Sequence, residues 1–559
     1  MIRRLLNGIN REIKGLHEAA YYLVIFTFFS HILGLIRDKV FAHSFGAGEI
    51  LDTYYASFRV PDLVFVTVAS LVSVSVLVPF LIRERHKGEA EEKKIVRNVW
   101  TVFLWLMLII ISLVMIFVPQ LLSLLVPGIY AGANQAILIT MTRVLLLSPL
   151  FLGVSNLLSS INQSRKIFIV TALSPIFYNL SIIIGTLCFY PKFGLLGLTF
   201  GVVIGSLLHL AIQLPSIPEW WKLLRPVWKI DWRSIKSVLM LSIPRTISLA
   251  SGQLLMTALY ALASLMAIGS IAVLTLAYNV QSVPLSIIGV SYSLAAFPTL
   301  SKLYATGKRE EFIANLTTAL KHILFWSIPI TIFFIVERAQ IVRVLFGSGE
   351  FSWSSTRLVA AALALFVISV SAKSLELLFL RGFYSAGQTK KPLIIVVTSS
   401  ILGFILAFLG VRAFDIFPEL AAFFERVLRV SEIGGTAVLA LPLGFSLAAI
   451  MEMVWLWREF EKEFSGLFRS AKRVIFDSLL SSFLMGFTIY IGLNLMDDVV
   501  DMNTFWGVLT QGFVAGIIGL MVWVIVLIYL RNPEWKVVIQ TLQEKFWKKK
   551  TILPEATEL

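Results

Sequence analysis

Fourteen long apolar runs, each bounded by a short polar or charged stretch, set the pattern of this chain. They fall at about 20–44, 52–82, 98–126, 136–163, 167–190, 195–220, 237–266, 270–301, 312–336, 358–387, 392–411, 433–457, 474–496 and 504–530. A helix needs roughly 20 mostly apolar residues to cross a bilayer. The pattern therefore predicts an all-α polytopic membrane protein of about fourteen transmembrane helices. Basic residues orient it. With the N-terminus inside, the inner segments hold 33 Lys and Arg, the outer loops 7 and the spans 8 of the total of 48. Cytoplasmic loops carry such an excess. Dropping or adding one helix would invert every later loop and destroy the bias, so both termini are expected in the cytoplasm.

Two flanking segments are amphipathic. Ile2, Leu5, Leu6, Ile9, Ile13 and Leu16 share one helical face, which predicts a cytoplasmic interfacial helix over 1–19; a frayed tail is the alternative. Trp535, Val538, Leu542 and Phe546 do the same in the basic tail 531–559, which suits an anionic leaflet. A faint internal echo links "FGAGEILDTYYASFRVPDL" in the second span with "MAIGSIAVLTLAYNVQSVPLS" in the eighth. Six helices separate them, an even number, so the repeat is parallel. It divides the chain into two pseudo-symmetric six-helix lobes, 20–220 and 232–457, with two extra helices over 474–530. Chance similarity between apolar segments is the competing explanation.

Composition narrows the function. The chain is 58% hydrophobic and 14% charged. Its one cysteine, Cys188, excludes internal disulfides, and its six histidines show no metal-binding spacing. Neither a phosphate-binding Walker sequence nor a GxSxG elbow is present, so a transporter is expected and not an enzyme, with no cofactor and no metal. The net charge of +15 is accounted for by the inner loops and calls for no nucleic acid.

The informative residues are the eight cations within spans: Arg37, Lys39, Arg59, Arg143, Arg245, Lys321, Lys373 and Arg381. Each costs several kcal/mol at the bilayer centre, on the order of 3 by insertion scales. Arg143 and Lys321 lie near span ends and are read as snorkelling. An excess of buried cations implies a water-filled cavity and an anionic passenger. Span one contains "SHILGLIRDKVFAHSFGAG" and span two "DTYYASFRVPDLV". Arg59 lies about 10 Å below Asp52 at 1.5 Å per residue, and Arg59 shares a face with Asp62. Arg37 and Asp38 point about 100° apart, which argues against one shared contact and gives Asp38 the task of orienting a neighbouring helix.

The run from Ser30 to Pro79 resembles the MurJ (MviN-type) lipid II flippases of the multidrug/oligosaccharidyl-lipid/polysaccharide exporter superfamily. Ser30, Leu33, Gly34, Arg37, Asp38, Phe45, Gly46, Ala47, Gly48, Asp52, Phe58, Arg59 and Pro61 fit that family's pattern without a gap. "ERAQIVRVLFGSGEFS" and "RGFYSAGQTKKP" fit further along, and the resemblance runs from about residue 20 to the end. The chain also departs from the pattern. His31, Phe65, Val66, Ser70 and Leu71 replace charged or glycine positions; Tyr278 and Asn279 replace an Asp-Arg pair. Leu259 stands where the family has a carboxylate linked to sodium binding.

The resemblance implies a flippase that moves a polyprenyl-pyrophosphate-linked peptidoglycan precursor across the bacterial inner membrane by alternating access. It implies a tail groove formed by the last two helices. The expected cavity residues are Arg37, Arg59, Arg245, Asp38, Asp52 and Asp62. A secondary or coupling group comprises His31, Lys373, Glu376, Arg381 and Glu452. Several of these have two readings. Arg245 either lines the cavity or pairs with an acid, Lys373 and Glu376 either act or neutralise each other, and His31 either titrates or packs. The expected partners are a lipid-linked anionic glycan, membrane lipids and the cell-wall synthesis machinery. Rival functions are transport of another lipid-linked glycan, drug/cation antiport on the same fold, and a non-transporting scaffold for envelope assembly.

Overall fold

The computed structural model describes residues 16–68, 77–78, 81, 84–85, 88–165, 167–217 and 220–546; some side chains within these ranges, Arg245's among them, lie outside the described set. The expected interfacial helix over 1–19 lies almost wholly outside the described residues. The described chain is helical, with no strand among the described residues. Eleven stretches, from Glu89–Leu125 to Phe505–Tyr529, are long and apolar enough among the described residues to cross a membrane. Each overlaps one of the predicted spans. Over two further predicted spans, helices α1 (Leu16–Phe45) and α9 (Trp232–Ser264) are present, 30 and 33 residues long. The remaining predicted span begins as two short helices, α2 (Glu49–Ser57) and α3 (Arg59–Thr67).

After these come α4 (Glu89–Leu125), α5 (Gln135–Leu145), α6 (Leu147–Ser164), α7 (Ile169–Ile184), α8 (Leu195–Ala211), then α9, α10 (Ser270–Leu285), α11 (Ser291–Ala305) and α12 (Arg309–Val336). The chain ends with α13 (Arg338–Phe346), α14 (Trp353–Val367), α15 (Ser369–Ser385), α16 (Lys390–Ile416), α17 (Pro418–Leu428), α18 (Ala440–Glu463), α19 (Leu467–Asp497), α20 (Phe505–Tyr529) and α21 (Pro533–Phe546).

The helices form two compact units. One gathers Met1–Val283, Val342–Ser369 and Gln388–Glu452; the other gathers Pro284–Ile341, Val370–Gly387 and Met453–Leu559. Within the first unit α9 packs against α3 and α4.

Lipid offers helices no hydrophobic drive to associate, so close packing of small residues takes over. In the first unit Gly197, Gly201 and Gly205 recur every four residues on α8 and face the end of α7. A Cβ on Gly201 would meet the Cα of Gly185 at 2.8 Å, and one on Gly205 the carbonyl oxygen of Tyr178 at 2.9 Å. The Ser181 hydroxyl donates to the Gly201 carbonyl at 2.9 Å across the same seam. Helix α14 is buried from Leu358 to its end, and Phe366 contacts Tyr278 of α10 and Phe445 of α18 at 5.6 and 5.4 Å. In the second unit an aromatic cluster joins three helices, α12, α15 and α18. Phe460 stacks on Phe464 at 4.6 Å and meets Phe383 and Phe379 at 5.0 and 5.6 Å; Phe312 lies 5.2 Å from Phe464.

One end of the first unit is closed by interlocked loops. Gly46, at φ +62°, lies so near the Glu350 carbonyl that a Cβ would sit 2.6 Å from it. The Glu350 N–H donates to the His43 carbonyl at 3.0 Å. Gly269, at φ +92°, is held as tightly against the Ala47 carbonyl, and Gly128 against the Ser264 carbonyl. Positive φ is cheap for glycine alone.

Candidate functional site

Pro61 shapes the site first. It lacks an N–H and crowds the carbonyl four residues back, which breaks the helix between α2 and α3 at Phe58. The break leaves the Tyr55 carbonyl within reach of the Arg59 side chain, whose Nε donates to it at 3.0 Å. The Arg59 guanidinium lies over the Tyr260 ring of α9, 3.9 Å from its centroid, and its Nη2 is 3.4 Å from Asp62 Oδ2. The pairing expected from the three-residue spacing is present. Arg59 is 7% exposed, so these contacts replace water for most of its surface.

Arg37 of α1 is held by its own helix and by α7. Its Nε and Nη2 donate to Asp38 Oδ1 at 3.0 and 2.8 Å, and its Nη1 to Asn179 Oδ1 of α7 at 3.1 Å. The adjacent side chains do share a contact, contrary to the 100° argument, because the long arginine side chain reaches the neighbouring carboxylate. Asp38 also orients a neighbour as expected: its Oδ2 accepts from Asn279 Nδ2 of α10 at 2.9 Å.

Arg37, Arg59 and Asp62 open onto one cavity of about 240 Å³ within the first unit. Its other walls include Tyr54, Tyr55, Tyr178, Tyr260 and Tyr278, together with Asn279 and Gln253. A smaller apolar recess of about 60 Å³ shares Phe58, Asp62 and Tyr178 with it. The cavity thus joins two guanidinium groups to a ring of phenols. A guanidinium offers five N–H donors in a planar fork. The protein's hydrogen bonds engage three of those on Arg37, so each arginine keeps donors for an anion's oxygens.

The other sequence candidates sit elsewhere. Asp52 does not line the cavity. Its Oδ2 accepts from the Gly269 N–H at 2.6 Å and its Oδ1 from the Ala272 N–H at 2.8 Å, which caps α10. The helix dipole adds to that contact. His31 is half-buried on α1, away from the lining. Lys373, Glu376 and Arg381 belong to α15 in the second unit, where Lys373 Nζ lies 2.6 Å from Glu376 Oε2. Glu452 is buried in α18. Arg245 lies in α9, its side chain outside the described residues. Arg143 is exposed and donates to the Met115 carbonyl at 3.3 Å. No group of three His, Cys, Asp or Glu able to hold a metal occurs among the described residues.

Sequence reasoning counted none of the phenols and neither asparagine among the site residues, noting Tyr278 and Asn279 only as replacements of charged positions. A signal was present. Tyr178-Asn179 and Tyr278-Asn279 are the same dipeptide, each in an otherwise apolar run, and together they clasp the Arg37–Asp38 pair from two sides.

Comparison with known proteins gives concordant results. A family model described as lipid II flippase MurJ matches residues 41–510. A protein of Borreliella burgdorferi described as a probable lipid II flippase MurJ is 24% identical over 402 residues, covering 70% of this chain and 78% of its own. A solved structure of lipid II flippase MurJ in an inward closed conformation superposes with a TM-score of 0.70 at 25% identity, covering 91% of this chain and 99% of that one. An inward-facing multidrug-resistance transporter of the MATE family has a TM-score of 0.61 at 16% identity over 78% of this chain and 96% of its own, a likeness of fold.

Proposed function

The chain belongs to the lipid II flippase MurJ family, and from that premise we propose that it carries lipid II from the inner to the outer leaflet of the bacterial inner membrane by alternating access. The observation that carries this reading is the cavity where Arg37 and Arg59 converge. A pyrophosphate presents oxygens that an arginine fork binds bidentately. The surrounding phenols can donate to the same oxygens or to sugar hydroxyls. At about 240 Å³ the cavity is smaller than the roughly 300–1,000 Å³ that drug-sized ligands occupy. The lipid-linked head group therefore enters only after the two lobes part, while the tail stays in lipid along α19 and α20. Both termini lie in the cytoplasm in this reading. An inside-negative potential then favours outward movement of each head-group charge by about 2.3 kcal/mol per 100 mV. Synthetic enzymes of the cell wall are the natural partners at either leaflet.

A drug antiporter of this fold would favour acidic and aromatic lining over paired arginines. A scaffold would tolerate loss of both cations. The deciding experiment is complementation of a flippase-depleted strain with Arg37→Ala and Arg59→Ala, singly and together, at matched expression. Failure to grow supports flipping; full growth of the double variant refutes it. Each substitution removes a charge-assisted contact of about 1.5–3 kcal/mol.

A further inference from the structure

Helix α17 stands between the membrane-crossing helices α16 and α18, so the chain leaves the bilayer after Ile416 and re-enters it within about twenty residues. The corresponding connection in the first repeat, between α7 and α8, carries only the four-residue turn Tyr190–Phe193 beyond its π-turn. The extra helix is not demanded by the repeat. Pro418 starts it at a position where the missing N–H costs nothing, and Arg429 ends it in the left-handed region at φ +60°.

Its inner face is fastened. Phe424 packs on Phe414 of α16 at 5.5 Å, Glu425 Oε1 accepts from the Thr436 hydroxyl at 2.6 Å, and Arg357 of α14 donates its Nε–H to the Arg429 carbonyl at 2.9 Å. These contacts fix the roll of the helix. Leu420, Phe423 and Val427, spaced three and four apart, are thereby turned away from the protein and are 38%, 54% and 58% exposed. On α16, which directly precedes α17, Leu409 and Ile416 are likewise 55% and 66% exposed. Glu419 and Arg426 lie beside it and are exposed. Counting the predicted spans along the chain puts α17 on the same membrane face as the interlocked loops at Gly46 and Glu350.

We infer that α17 is an interfacial helix whose Leu420–Phe423–Val427 stripe is seated in the acyl boundary of the leaflet that receives the transported lipid. The partner is the lipid surface itself. Its place directly after α16 argues for it, because α16 is long and apolar enough to cross a membrane, and a helix with one apolar and one charged face lies in the headgroup boundary. Which leaflet this is rests on the proposed direction of flipping and on both termini being cytoplasmic; the seating of the stripe in lipid does not.

The test uses the full chain with Cys188→Ser, which removes the single native thiol. Phe423→Cys, Val427→Cys and Glu419→Cys are each labelled with an environment-sensitive fluorophore and reconstituted in phosphatidylethanolamine–phosphatidylglycerol vesicles. The expected result is blue-shifted emission at positions 423 and 427, quenched by acyl-chain nitroxide lipid and little by iodide, with the opposite response at 419. Iodide quenching at all three positions would overturn the inference. So would protection from both quenchers at 423 and 427, which oxidative cross-linking would assign to a second copy of the chain. Two stripe positions keep the result readable if one variant fails to fold.

Discussion

Replacing Arg59 by lysine separates charge from shape at the site. Arg59→Lys keeps the cation, so long-range attraction of an anion is unchanged. It loses the planar fork and therefore one of two parallel bonds to phosphate. A bond to a charged partner contributes about 1.5–3 kcal/mol, and each 1.4 kcal/mol is tenfold in affinity, so binding of lipid II should weaken by roughly 10- to 150-fold. Folding is less affected, because an ammonium over the Tyr260 ring retains much of a cation–π contact of about 0.5–2 kcal/mol. Arg59→Ala behaves differently. It leaves Asp62 facing the cavity without its counter-charge, and an abandoned buried ion costs about 3–5 kcal/mol. The Asp62 side chain is 35% exposed, so solvent removes part of that penalty. Adding Asp62→Asn to Arg59→Ala should restore the thermal midpoint toward that of the parent without restoring binding. The assay is titration of detergent-solubilised protein with a fluorescent lipid II analogue, beside thermal unfolding of the same preparations. Undiminished affinity in Arg59→Lys would refute fork recognition. Restored binding in the double variant would refute a role for the Arg59 cation altogether.

Three further outcomes are expected. Gly201→Leu drives a side chain into Gly185, where even a Cβ is 2.8 Å from the opposing Cα; overpacking costs about 1–3 kcal/mol, and because α7 carries Asn179 the variant should also lose affinity for lipid II, while unchanged binding with unchanged melting would contradict the seam's role. Asp52→Ala removes the acceptor of two N–H groups at the start of α10 and should lower stability by about 1–2 kcal/mol, as other lost caps do, with no shift in thermal midpoint counting against it. Leu259 is fully buried where a sodium-linked carboxylate is expected from the family resemblance, so replacing sodium by choline at fixed pH and potential should leave proteoliposome flipping unchanged; a large loss of rate would reveal a sodium site elsewhere.

Much of this architecture is legible in the chain because lipid imposes one rule, that every span be helical and apolar. The same rule makes Arg37 and Arg59 conspicuous, since their cost demands a use. Partners across helices are less legible. Periodicity gives the depth of Asp52 in the bilayer but not which helix faces it, so a cap on α10 reads as cavity charge, whereas the Lys373–Glu376 pair, three residues apart on one helix, is one of the two readings its spacing allows. The expectation that Arg37 and Asp38 diverge rested on Cα directions and ignored the reach of a side chain with three methylenes. The phenols escaped because tyrosine is ordinary at membrane depth, and only its repetition beside asparagine sets it apart. Helix α17 was hidden for a related reason: "FPELAAFFERVL" is apolar enough to read as the fringe of a span.

The contacts at Gly46, Gly128 and Gly269 are made against main-chain carbonyls of Glu350, Ser264 and Ala47. Such a seal has no charge for salt to screen and no proton for acid to add. It holds equally in dilute, saline, acidic or neutral surroundings. It also changes what inheritance can tolerate there. Every single-base missense change of a glycine codon installs a Cβ, so at these three positions the chemistry of the newcomer is irrelevant: alanine and arginine fail for the same lack of space. A survey of harmful variants ranked by hydropathy or charge would pass over them, although they are among the least forgiving positions on that face.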